Sequence, residues 1–561
     1  MTTPTGNDVL VILGQMSELT LSPSTMPVAT IDDNRPGETL CNVTGIEKVA
    51  KLLHQLVHGR ARLSQEEVDA IHLHFSVLED QMCALASTSF LKLVSDVIYA
   101  LSTWDPHLAA TLTQSRRIIG VLAQLCTAFD VYDTYTSQFL AILATIMRDD
   151  TSRATFLGVF KDMPETKVQR VGKGIFLNLY QLREQHAANT VPLSTALKHL
   201  SSIVDVVCDI AMDEQLTTET FTMLQIPDLL VATFRNLELV YHLGEDHQSW
   251  QDTVVLLHKV FSVPQTGRLG SSQVVHTIAS LLNGQALKML FEVVVKGRGQ
   301  LQHLRKTSLS IISWIASHCI YHPVHKIVHQ RVRDFTRGLL RSIQLDKQGR
   351  KYWNQLTNVI HLAGQKVTRA ARGRLRRRGC DNMTHTQRPA GHALARSKKC
   401  ANCNAFMYCS YDCQRDDWRI HYQECHPWDQ FWEGSDTVHL AFSLKVKIGI
   451  LAFFESYVNS QLSLGLLPIS GVEGPDVLML EAASLPWRMY YAPFNLSIIP
   501  HSNRRDGARV RGFVEAWASE QRIVDLLHIT FRHGHRQANV LVYARWHIDA
   551  CRIIGGVFYV P

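Results

Sequence analysis

Residues 400–425 read CANCNAFMYCSYDCQRDDWRIHYQEC, a run in which cysteine and histidine return at gaps of two, five, three, seven and three residues. With Cys380 upstream, six of the chain's twelve cysteines fall between Cys380 and Cys425. Zinc takes four such donors in a tetrahedron, and closely spaced pairs form the knuckles that grip it. Cys400 and Cys403 make one such pair. His421 and Cys425 are four apart, so on a helix both side chains leave from the same face. A segment this short cannot build a sizeable apolar core, and metal coordination takes the place of one. A structural site is closed by protein ligands and leaves no water to activate, so its product is a rigid surface rather than catalysis at the metal.

The residues between the ligands narrow the reading. Tyr408-Cys409-Ser410, then Cys413-Gln414, Trp418, His421 and Cys425 closely resemble the MYND-type zinc finger, which carries these residues in this order. The resemblance implies two interleaved ions. Cys400, Cys403, His421 and Cys425 would hold one, and Cys380, Cys409 and Cys413 would supply three ligands of the other. It also implies a protein-interaction role, in which proline-rich peptides lie along an exposed hairpin edge as an added strand. Gln414 and Trp418 match the positions that flank this groove. For Trp418, packing against the helix and the knuckle is an equal expectation. Asp416 and Asp417 are expected in the first turn of the last helix, where carboxylates offset its positive end.

The chain departs from that pattern at the second ligand, where the family has a cysteine and this sequence offers Met383, His385 or His392. A thioether suits copper(I) better than zinc, whereas imidazole is an ordinary zinc donor. His385 is the favoured fourth ligand, at the place a Cys-x4-Cys knuckle would use, and His392 is its rival. The other possibility is that only the ion held by Cys400, Cys403, His421 and Cys425 binds.

On the amino-terminal side, residues 1–44 are rich in Thr, Ser, Pro and Asp, a composition that orders poorly. Residues 45–362 carry apolar residues at spacings of three and four, the signature of amphipathic helices. Leu91–Leu101, Ile118–Phe129, Phe139–Met147, Leu193–Met212, Phe221–Leu243, Val254–Phe261, Val274–Val295 and Leu304–Ile320 all read this way. So many helices outgrow a simple bundle, and armadillo- or HEAT-like stacking is the expected arrangement; a large irregular bundle is the alternative.

A basic linker follows at residues 363–379, where Lys366 and six arginines to Arg378 meet no acid. These seven charges equal the net charge of the whole chain, +7, so everything else sums to neutral. No aromatic residue interleaves with them, and a nucleic-acid role is not expected. The remaining cysteines stand singly in apolar stretches, as reduced core thiols do. No secretory pattern and no bilayer-length apolar run is seen, so an intracellular protein, nuclear or cytoplasmic, without membrane contact is expected.

Beyond the finger (residues 380–425), residues 435–561 read as a small α+β domain. Phe442–Phe454 is expected to be helical, and Val477–Leu480, Leu496–Ile499, Ile529–Arg532, Val540–Arg545 and Ile553–Val560 extended. Gly534, Gly555 and Gly556 are expected to break the strands, and Val510–Ala518 fits either state. The histidines and cysteine His528, His533, His535, His547 and Cys551 could be drawn into a third metal site, but exposed loop histidines are the simpler reading.

The fold class is therefore mainly α, with a two-zinc finger between a helical region and a small α+β domain. No Gly-x-x-x-x-Gly-Lys loop, Gly-x-Ser-x-Gly elbow or dinucleotide glycine set appears. The cofactor motif and strand-borne Gly-x-Gly turn of SET-domain methyltransferases, which carry the same finger, are missing too. The expected function is a non-enzymatic adaptor or scaffold that binds zinc and protein partners. The alternative is an enzyme, such as a methyltransferase, with an unfamiliar site in the carboxy-terminal domain.

Overall fold

The computed structural model describes, with gaps, residue 15 and residues 65–127, 146–371, 380–382, 398–402, 406–425, 444–464, 476–493, 505–519 and 525–559. The expectations for the tail at 1–44 except Gln15, for Phe139–Met147 except Ile146, for residues 372–379 of the linker and for Leu496–Ile499 lie outside the described residues. The chain forms two compact units, Met1–Val263 and Pro264–Pro561.

The described elements of the first unit are all helices: α1 (Gln65–Leu73), α2 (Phe75–Ala86), α3 (Arg116–Thr127), α4 (Asp150–Lys161), α5 (Glu165–Ala187), α6 (Leu193–Met212), α7 (Ile226–Leu243) and α8 (His247–Ser262). Their cause is the apolar periodicity. In α6, Leu197, Leu200, Ile203, Val204, Val207, Ile210 and Ala211 are buried, and their spacing of three and four makes one stripe facing the core. Pro164 separates α4 from α5, and its carbonyl accepts from the amides of Lys167 and Val168. Of the helix expected over Phe221–Leu243, α7 covers Ile226–Leu243. Leu224 and Gln225 form a turn in which Gln225 takes a left-handed φ of 52°, and residues 221–223 lie outside the described residues. Packing runs between helices close in sequence, such as α5 with α7 and α6 with α8.

The second unit opens with α9 (Ser271–Leu282), α10 (Ala286–Lys296), α11 (Gln302–Ser317), α12 (His322–Val332), α13 (Arg337–Leu345) and α14 (Lys347–Ala371). The single helix expected over Val274–Val295 is two, broken where Asn283 and Gly284 intervene. No single helix among the described residues is long and apolar enough to cross a membrane.

The finger contributes a two-stranded ribbon, β1 (Lys398–Lys399) and β2 (Met407–Tyr408), and helix α15 (Tyr411–Glu424). After it come α16 (Leu444–Ser463), β3 (Asp476–Glu481), β4 (Arg488–Pro493), α17 (Arg505–Ser519), β5 (Asp525–His533), β6 (Arg536–His547) and β7 (Ala550–Tyr559). The sheet runs β4-β3-β5-β6-β7. Only β3 and β5 are parallel; edge strand β4 and then α17 lie between them in the chain.

The ambiguous segment at Val510 is thus helical. Val510, Phe513, Val514 and Trp517 form its buried stripe and pack on Val477, Leu526, Leu541, Tyr543 and Val557 of the sheet. The opposite face of the sheet meets α16, with Phe454 against Phe531. A sheet covered on both faces reads as continuous apolar runs, and six successive residues of β5, Leu526–Phe531, are buried.

Gly534 makes the β5–β6 turn with φ of 63°, as expected of it. Gly555 and Gly556 do not break β7; they pair with Tyr543 and Val542. A Cβ on Gly556 would lie 3.1 Å from the Leu541 carbonyl oxygen and 3.3 Å from Leu451, so glycine here lets α16 settle close to the sheet.

The helices preceding the finger are joined to the sheet domain by buried polar contacts. The Leu485 amide donates to Ser313 Oγ at 2.6 Å. Tyr321 donates to the Arg532 carbonyl at 2.9 Å and meets His533 Nδ1 at 2.9 Å. His533 is therefore a buried network residue, not the exposed loop histidine expected from sequence.

Candidate metal centre

The finger's geometry begins with its ribbon. Lys399 pairs with Met407, and the Cys400 amide donates to the Phe406 carbonyl at 3.0 Å. That closes the chain between them and places Cys400 at its mouth. Helix α15 starts at Ser410, whose hydroxyl accepts from the Cys413 amide at 3.1 Å, a standard N-cap. Cys413, Asp417 and His421 then follow at intervals of four and share one buried face of the helix. Cys425 is the C-cap residue, with φ of −83° and ψ of 96°.

Three donors meet at the far end of that helix. The ligand atoms of Cys400, His421 and Cys425 all lie within 4.8 Å of one another, and the two Sγ atoms are 3.6 Å apart. Zinc–sulfur bonds of about 2.3 Å give a tetrahedral edge of about 3.8 Å between thiolates. The donor set and its spacing thus fit one zinc ion. Asn402 Nδ2 donates to Cys425 Sγ at 3.3 Å, the kind of outer contact that stabilises a metal-bound thiolate.

His421 is enclosed by Phe406 at 4.3 Å and by Trp418 at 5.6 Å between ring centroids. Burial, joined by the charges of Arg509 and Lys447, pushes its imidazole down to about 3. It therefore stays neutral, the form that ligates metal.

Of the other expected ligands, Cys380 and Cys413 are buried beside Cys400, Phe406 and Tyr408. His385, Cys403 and Cys409 lie outside the described residues. Gln414 is half-buried. Trp418 keeps 42% of its surface exposed while its ring meets that of His421, the packing contact expected of it. Tyr411 and Tyr422, also exposed, flank it on α15. Of the residues weighed for a third metal site, His528, His533 and Cys551 are buried in the sheet domain and His547 is at the end of β6; His535 lies outside the described residues. Among the described residues, Cys400, His421 and Cys425 form the metal-compatible group.

Asp417 differs from expectation. The helix begins at Tyr411 and its first-turn acid is Asp412, so Asp417 is a turn further in and 2% exposed. It accepts from Arg509 through both oxygens, at 3.2 and 2.8 Å, and from the Tyr408 hydroxyl at 2.7 Å. Burial, with the charge of Asp417 beside it, holds the Tyr408 hydroxyl far above its ordinary range, so it remains a donor. Arg509 also donates to the Asp381 carbonyl at 2.8 Å and lies over the Phe406 ring at 4.6 Å. Lys447 of α16 lies over the same ring at 4.9 Å. Sequence reasoning missed Arg509 and Lys447, because an arginine among several and a lysine in an apolar helix carry no local mark of a partner.

Comparison with known proteins agrees with this geometry. Residues 385–425 match the MYND finger family, a zinc-binding protein-interaction module. The matched stretch holds seven of the eight expected ligands, with Cys380 just before it. The chain is 40% identical over 52 residues to the N-lysine methyltransferase SMYD2 of Bos taurus. It is 38% identical over 52 residues to the same enzyme of Sus scrofa and of Homo sapiens. Each match covers 9% of this chain and 12% of the relative. No solved structure matches the chain.

Proposed function

We propose that this protein is a non-enzymatic adaptor whose finger binds two zinc ions and presents a peptide-sized surface to protein partners. Cys400, Cys403, His421 and Cys425 hold one ion; Cys380, His385, Cys409 and Cys413 hold the other. The observation that carries the reading is the convergence of Cys400, His421 and Cys425 at one end of a helix whose outer side exposes Tyr411, Trp418 and Tyr422. Buried ligands with exposed aromatics on the same short helix are what a metal-built recognition module needs. Aromatic side chains supply large contact area at little entropic cost. Proline-rich segments, extended before they bind, are the partner class such a surface fits.

The chemistry of bound zinc here is structural: it replaces an apolar core. The chain's residues do the rest. Ser410 starts the helix, Asn402 supports Cys425, and Phe406 and Trp418 keep water from His421. The relatives' methyltransferase activity is not carried over, because the match ends with the finger. Two experiments test the reading. Elemental mass spectrometry of the full chain should find two zinc ions, falling to one in His385→Ala. A proline-rich peptide library should be captured by the wild-type chain and lost with Trp418→Ala, while methyl transfer stays at background. Zinc-free protein, or undiminished capture by the variant, would overturn it.

A further inference from the structure

Arg509 stands 84 residues beyond the last finger ligand, yet it touches two of the three described ligand-bearing segments of the finger directly and reaches the third through Phe406. Its guanidinium donates to the Asp381 carbonyl, next to Cys380. It pairs through two nitrogens with Asp417, four residues from both Cys413 and His421. Its plane lies over Phe406, whose carbonyl anchors the Cys400 amide. Tyr408, which precedes Cys409, closes the ring by donating to Asp417. Asp381 is itself clasped to the ribbon, its amide donating to Met407 and its carboxylate accepting from the Met407 amide, each at 2.7 Å.

We infer that Arg509 is the positioning residue of the metal centre, so that zinc retention by the finger and docking of α17 on it are a single equilibrium. The inference rests on the zinc reading above. Its physical basis is the enclosure of the pair: the side chains of Arg509 and Asp417 are 1% and 0% exposed. A buried ion pair is tolerated when its geometry is complete and becomes strongly destabilising when one partner leaves. The planar fork of arginine meets a carboxylate with two hydrogen bonds and a carbonyl with a third, which lysine cannot reproduce. Release of zinc frees α15 from Cys400 and withdraws Asp417, and that strands the charge of Arg509 against the sheet domain. Conversely, loss of Arg509 leaves Asp417 buried without its cation, between the two helical ligands.

The test uses the full chain and a chromophoric chelator that competes for zinc. Arg509→Met should yield its zinc at least tenfold more readily than wild type, within the roughly 10–100-fold range of outer-contact losses at metal sites. Arg509→Lys should be intermediate, and Tyr408→Phe should shift in the same direction by less. Asn459→Ala is the control. Its side chain bonds both the amide and the carbonyl of Cys551, twelve residues, or about 18 Å, along α16 from Lys447. It should weaken the sheet domain and leave zinc retention unchanged. Should Arg509→Met fail to fold, the wild-type chain decides: EDTA should raise amide hydrogen exchange across Arg505–Ser519. Wild-type retention in Arg509→Met and Arg509→Lys, equal zinc loss in Asn459→Ala, or unchanged exchange after EDTA would each sink the inference. Absence of zinc from the wild-type chain would instead overturn the metal reading beneath it.

Discussion

The Arg509–Asp417 pair shows how much a single residue can decide when it is enclosed. Asp417→Asn keeps the shape and removes the countercharge, leaving a guanidinium in the interior. Unfolding by urea should show a loss of about 3–5 kcal/mol, the size expected when one member of a buried pair is removed. Replacing the pair together by Arg509→Met and Asp417→Leu should recover only part of this. The Tyr408 hydroxyl and the Asp381 carbonyl lose their partners in that variant, and each unmet buried group costs about 1–3 kcal/mol. A double-mutant cycle with a strongly non-zero coupling is the expected outcome; additive losses would mean that the two charges act separately. Neither residue announces this in the sequence. Asp417 sits among polar neighbours and looks solvated, and its partner is 92 positions away.

Local order was far more legible than long-range order, for a reason that lies in the elements themselves. The ligand spacing, the stripe of α6 and the turn at Gly534 are written within a few residues of one another. The segment at Val510 was ambiguous because a helix buried against a sheet and a strand buried on both faces both read as apolar runs. Strand β4 carried almost no signal: its exposure alternates weakly and it ends in Pro493. Gly555 and Gly556 were misread because a glycine inside a strand can mark close packing as well as a turn. That packing is testable. Gly556→Ala should destabilise the second unit by about 1–3 kcal/mol, as overpacked cores do, measured by thermal melting. Ser410→Ala removes the cap of α15 and should cost about 1 kcal/mol, visible as earlier zinc loss on titration with urea. No change in either would mean that the element has slack where the contacts show none.

At the scale of the molecule, the finger is not an appendage. It shares one compact unit with the helices from Pro264 and with the carboxy-terminal sheet, so metal supply becomes stability supply. Free zinc at a thousand times its Kd adds about 4 kcal/mol to the unit that binds it. Chelation should therefore lower the melting of Pro264–Pro561, read by amide exchange in α17 and β7, and leave Met1–Val263 unchanged. The chain order of these parts has a further consequence, for synthesis. Cys425 leaves the ribosome 84 residues ahead of Arg509, and at about 5–20 residues per second that interval is on the order of ten seconds. For that time the nascent chain carries a full set of thiols without the guanidinium that braces them. Secure metal loading thus waits on the arrival of α17, and until then the thiols stand exposed to oxidants and competing ions.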